Sequence, residues 1–298
     1  MVNSRFGHNR FWAGLAAGTL FVATTTAGQV VGMPLATGAT PVDYAALGDS
    51  YSSGPLDGTP TGNLLCLQSS GSYPYFLASH LKANLTDVAC SGAESADITN
   101  TSQYSGVPPQ VDALSSSTQL VTLTDGGNDN GLFFSALLDC GAVDILDVLN
   151  LGSPCEDLYG DTFTNAIASD ASTLEATFAT IKRDAPNAKI YVVGYPDILP
   201  SKGNCYPTMP LTTGDTGYLN SVELDLNSTI KQEAAAAGVH FVSTYAQFEG
   251  HGSCAKGAKQ WINAIIATNG GISVHPNTTG ELQMADIVEA AVGTHRIG

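Results

Sequence analysis

Five short stretches rich in apolar and β-branched residues, at 42–47, 85–89, 118–124, 188–194 and 239–243, read as strands. Between and after them the polar and apolar positions change to helical spacing. Residues 73–81 carry Pro74 near their start, 108–115 begin at Pro108, 163–183 form a long amphipathic stretch, 217–237 stop at Gly238, and 278–292 form the closing helix. A leucine-rich segment at 132–160 is too long for a plain connection and reads as helix plus loop.

Strands that alternate with helices predict a parallel sheet covered on both faces, because parallel neighbours need crossover connections. With the strand order 2-1-3-4-5, the first three strands are adjacent and their carboxyl ends form the rim where ligands sit. Each of those three strands ends in a glycine turn: Gly48-Asp49-Ser50, Cys90-Ser91-Gly92 and Gly126-Gly127-Asn128-Asp129. The order therefore gathers Ser50, Gly92 and Asn128 at one edge.

A serine just past a strand end can present its hydroxyl beside free backbone N–H groups, which suits acyl transfer. Ser50 is the expected nucleophile. The expected base is His275, in the loop segment Ser273-Val274-His275-Pro276 before the last helix. A tetrahedral intermediate needs donors for its oxyanion, and the N–H groups of Ser50 and Gly92 with the Asn128 side-chain amide would supply them. The other histidines show no metal-ligand spacing, and Gly-x-Ser-x-Gly, His-Glu-x-x-His and phosphate-loop motifs are absent from the sequence. No metal or other cofactor is expected.

The N-terminus narrows the compartment. Arg5 and Arg10 precede an uncharged apolar run at 11–23 and then small residues, the layout of an export signal and too short for a comfortable membrane span. Residues 1–40 are read as signal and short leader, and 41–298 as a single domain. Without those 40 residues the chain keeps 27 acidic side chains against 9 basic ones, a formal charge of −18. Such a surface repels nucleic acid and anionic membranes. Six cysteines without a Cys-x-x-Cys pair favour disulfides in an oxidising compartment. Six allow fifteen connectivities, of which sequential pairing, Cys66–Cys90, Cys140–Cys155 and Cys205–Cys254, is the simplest. Sequons stand at Asn84, Asn100, Asn227 and Asn277.

The blocks Gly48-Asp49-Ser50-Tyr51-Ser52-Ser53-Gly54, Ser91-Gly92-Ala93, Gly126-Gly127-Asn128-Asp129 and His275-Pro276-Asn277 together resemble the SGNH hydrolases, also called GDSL esterases and lipases. The resemblance runs from Val42 to the C-terminus, and the cysteines, the acidic body and the segment 248–254 look most like the secreted actinobacterial branch. It implies a flavodoxin-like three-layer α/β/α sandwich with a five-stranded parallel sheet, and a secreted, monomeric esterase or lipase acting on a small-molecule or lipid ester through an acyl-enzyme.

One position departs from the family pattern. The acid often found three residues before the histidine is Ile272 here, and no Asp or Glu occurs between Gly250 and Gly280. Some family members use a main-chain carbonyl instead, so the expectation is a Ser50–His275 dyad supported by the carbonyl of Ile272. Leu132, Phe133, Phe134, Leu137 and Leu138 follow the oxyanion asparagine closely, either lining an acyl-chain groove or forming the buried stripe of a helix. Two rivals stay open: an esterase for acetylated polysaccharide, and a non-catalytic binding protein on the same scaffold.

Overall fold

The computed structural model describes residues 40–294 except 146, 148, 151, 267, 268 and 270. The expected export signal lies outside the described residues. Five strands, β1 (Asp43–Gly48), β2 (Asn84–Asp87), β3 (Leu120–Thr124), β4 (Lys189–Val193) and β5 (His240–Val242), form one sheet in the order β2-β1-β3-β4-β5. All four pairings are parallel. β3 is buried at every position, as a central strand covered on both faces must be, while the edge strand β2 alternates between exposed and half-buried positions.

Helices α1 (Ser50–Ser53), α2 (Tyr73–Leu81), α3 (Ser95–Thr99), α4 (Leu132–Asp144), α5 (Pro154–Tyr159), α6 (Thr162–Asp184), α7 (Thr213–Ala237), α8 (Tyr245–Phe248) and α9 (Thr278–Thr294) fill the connections. α6 packs on α7, and α2 on α9. The spacing of Phe163, Ile167, Leu174, Phe178 and Ile181 places one apolar stripe of α6 in the core, along with the strand residues Leu47, Leu120, Leu123 and Val192. No helix among the described residues is long and apolar enough to cross a membrane.

Some boundaries moved for identifiable reasons. α7 begins at Thr213, ahead of the expected Gly217, because the Thr212 hydroxyl accepts the Asp215 N–H and caps the helix. The helix expected at 108–115 is one 3₁₀ turn, Gln110–Ala113. There the Gln110 side chain is committed to the sheet: its Nε2 donates to the Gly48 carbonyl at 2.9 Å and its Oε1 accepts the Gly48 N–H at 2.6 Å. The segment 132–160 holds two helices, α4 and α5, joined by the Cys140–Cys155 disulfide. Cys66–Cys90 and Cys205–Cys254 are the other bridges, and among the described residues no cysteine is free.

The buried acids set the pH response of the fold. Burial raises the carboxyl groups of Asp49 and Asp197 to about 6 and that of Asp87 to about 7, and lifts Asp125, Glu223 and Glu281 well above the carboxylate range. In the unfolded chain these groups titrate near about 4. Between the two values the folded state holds the extra protons, so stability falls as pH rises through that window. His275 works in the opposite direction, because its lowered pKa costs stability as pH falls below the ordinary imidazole value, but it is one group against several. The melting temperature is therefore expected to be higher at pH 5 than at pH 8. A melting temperature that climbs steadily from pH 5 to pH 8 would contradict this.

Candidate active site

β1 ends at Gly48 because the chain must turn where it touches β3. Gly48 has φ +114°, and a Cβ there would lie 2.3 Å from the Thr124 carbonyl oxygen, so only glycine fits. Asp49 then caps α1, its Oδ1 accepting the Tyr51 N–H at 2.9 Å. Ser50 is thus the first residue of a helix, and its own N–H donates to no acceptor among the described residues.

Beyond β2, Gly92 adopts φ +79°, a conformation that favours glycine, and its N–H is likewise unclaimed among the described residues. The Cys66–Cys90 disulfide and the bond from the Ser91 N–H to the Cys66 carbonyl hold this turn two residues upstream. Beyond β3, Asn128 donates from Nδ2 to the Ala93 carbonyl at 3.0 Å. An amide nitrogen carries two hydrogens, so one orients the group while the second stays available.

His275 arrives from the segment before α9. Its Nε2 lies 2.7 Å from Ser50 Oγ, and its Nδ1 lies 2.8 Å from the Ser273 carbonyl oxygen. The expectation for Ile272 is corrected here: its carbonyl accepts Asn263 Nδ2 at 3.1 Å and does not reach the imidazole. The reason is local backbone geometry. Val274 has φ +62°, an outlier for a β-branched residue, and this turn swings the carbonyl two residues before the histidine, not three, onto the ring. Such a conformation costs about 1–3 kcal/mol and persists only where its surroundings enforce it. Hydrogen bonds from Val274 N–H to the Asn263 carbonyl and from Asn263 N–H to the His275 carbonyl enforce it here.

A buried network unforeseen in the sequence connects the blocks. Asp49 accepts the Thr124 hydroxyl through Oδ1 at 2.6 Å and the Tyr195 hydroxyl through Oδ2, and the Tyr195 oxygen in turn accepts the Gly127 N–H at 2.9 Å. Asn227, a sequon in the sequence, is buried and grips the backbone of Tyr195 with both ends of its amide. Tyr195 lies 146 residues from Asp49 and 68 from Gly127, so no local signal marked it.

Ser50, Gly92, Asn128 and His275 line one cavity of about 570 Å³, together with the apolar side chains of Leu137, Leu138, Ile265, Ile272 and Val274. Leu132 is buried beside the core instead, and the side chains of Phe133 and Phe134 lie outside the described residues. Burial pushes the imidazole of His275 down to about 4, against the opposing pull of the Ser273 carbonyl, so the ring is neutral at pH 7 and able to take a proton. If His275 is the base, the acid limb of kcat/KM is expected near pH 4. A limb near the free-imidazole value of about 6.5 would contradict that.

Away from this cavity, His80 of α2 with Asp286 and Glu289 of α9 bring one ligand atom each within 4.8 Å of one another. His80 Nδ1 lies 2.9 Å from Glu289 Oε2. Sequence spacing could not show this group, since it spans two distant helices.

Comparisons with known proteins identify the family and the fold. A model described as the GDSL-like Lipase/Acylhydrolase family matches residues 46–281. Lipase 2 of Streptomyces coelicolor is 38% identical over 278 residues, spanning 91% of this chain and 92% of that relative. The crystal structure of phospholipase A1 from Streptomyces albidoflavus superposes with a TM-score of 0.71 at 29% identity, over 84% of this chain and 99% of that one. That of an extracellular lipase from Streptomyces rimosus gives 0.67 at 26% identity, over 84% and 99%.

Proposed function

Because the chain belongs to the GDSL-like lipase/acylhydrolase family and is a carboxylic ester hydrolase, we propose that it is secreted and hydrolyses lipid esters through an acyl-enzyme on Ser50. The observation that carries this reading is the 2.7 Å approach of His275 Nε2 to Ser50 Oγ, at a cavity where two backbone N–H groups stand unclaimed among the described residues. Ser50 Oγ attacks the acyl carbon while His275 takes its proton. The oxygen that gains charge is held by the N–H groups of Ser50 and Gly92 and by the amide of Asn128. His275 then protonates the leaving alcohol, and water, deprotonated by the same imidazole, releases the acid. The Ser273 carbonyl fixes which ring nitrogen carries the proton, a support that stabilises the imidazolium less than a carboxylate would.

The apolar walls from Leu137, Leu138, Ile265, Ile272 and Val274 favour a longer acyl chain over an acetyl group on a polysaccharide. The phospholipase A1 and lipase neighbours point the same way. Purified protein tested on chromogenic esters from acetyl to long acyl is expected to show kcat/KM rising beyond the shortest chains. A maximum at acetyl would favour the polysaccharide reading, and no turnover at any length the binding-protein reading. Export is supported by the apolar N-terminal run and the disulfides. It is tested by finding the protein, shortened at its N-terminus, in the culture medium.

A further inference from the structure

The departure from the family pattern at Ile272 leaves His275 Nδ1 on a main-chain carbonyl instead of a carboxylate, yet its ring is held from a second side. Tyr51, the residue after Ser50, is fully buried, and its ring lies 4.6 Å from that of His275, tilted by 31°. Its hydroxyl donates at 2.6 Å to the carbonyl oxygen of Val274, the residue with positive φ. Tyr195 meets the same ring edge-on at 5.0 Å. The ring of Tyr51 therefore lies against the imidazole while its hydroxyl locks the turn that aims the Ser273 carbonyl at Nδ1.

We propose that Tyr51 is a positioning residue for the reaction, fixing His275 by ring contact and by the hydrogen bond to Val274, where no carboxylate among the described residues orients the ring. The proposal rests on the Ser50–His275 reading above. Two contributions separate cleanly by side chain. Phenylalanine keeps the ring and removes the hydroxyl, leaving the Val274 carbonyl unpartnered in the interior and the strained turn free to relax. Leucine removes both, including the aromatic face beside an imidazole that becomes a cation during the reaction. Tyr51 also lines the cavity, but its ring and hydroxyl are committed to His275 and to the Val274 carbonyl, so the losses belong mainly in kcat.

The test is steady-state kinetics of Tyr51→Phe, Tyr51→Leu and His275→Ala on one chromogenic ester, with circular dichroism confirming the fold of each. Expected is a fall in kcat of roughly tenfold for Phe and roughly a hundredfold for Leu, with KM within about twofold of the unmodified protein. Wild-type kcat in both Tyr51 variants, an equal loss in both, or a loss carried by KM alone would overturn the proposal. His275→Ala tells which reading has failed. If it is inactive while both Tyr51 variants work normally, only the role of Tyr51 falls, whereas an active His275→Ala removes the dyad itself. If Leu fails to fold, the Phe variant, which keeps ring volume, decides alone: a tenfold loss in kcat supports the clamp and an unchanged kcat refutes it.

Discussion

Replacing Ser50 by alanine is expected to cut kcat for ester hydrolysis by about four to six orders of magnitude, and His275→Ala by a comparable amount. The two losses should not add. With Oγ gone there is no proton for the imidazole to take, and with the imidazole gone the hydroxyl at 2.7 Å has no acceptor, so the double variant should resemble either single one. A double variant slower by the product of both effects would mean that the two side chains act independently. Substrate affinity should survive in all three, because the apolar walls that would hold the acyl chain are untouched.

The second large effect belongs to Asn128. Its amide is oriented by the Ala93 carbonyl and backed by the Tyr195 bond to Gly127, so it is preorganised before substrate arrives. Donors of this kind contribute mainly when charge develops on the acyl oxygen, and removing one costs about 10²–10³ in kcat. Asn128→Ala should therefore lose activity in kcat with KM nearly unchanged. A variant that loses affinity but keeps kcat would place Asn128 in substrate binding instead.

The sheet was legible in the sequence because its signal is local. Most of the strands are apolar runs, the crossover rule makes them parallel, and the doubly wound order expected for such a sheet, 2-1-3-4-5, is the order found. The same logic brought Ser50, Gly92 and Asn128 to one rim, since strand ends in a parallel sheet share an edge. What escaped was set by contacts distant in the chain or by single backbone angles. Nothing near Val274 announces a positive φ, so Ser273 could not be told from Ile272 as the carbonyl that faces the imidazole. Gln110 read as helical because its spacing fits a helix, but its amide was spent on the Gly48 backbone. Tyr195 and Asn227 look like ordinary members of their segments until the fold joins them behind the nucleophile. Thr212 is the exception: a threonine three residues before an aspartate is a readable helix start that the apolar pattern overshadowed.

The central claim is that Ser50 is the atom donor for an acyl-enzyme and that His275 activates it. The most direct measurement is peptide mapping by mass spectrometry after exposure to a reactive long-chain alkylphosphonate ester. One phosphonyl group on Ser50, formed at the rate at which activity disappears and absent from His275→Ala, is the result expected. Full inactivation with the label on another side chain, or labelling of Ser50 that proceeds equally fast without His275, would contradict it.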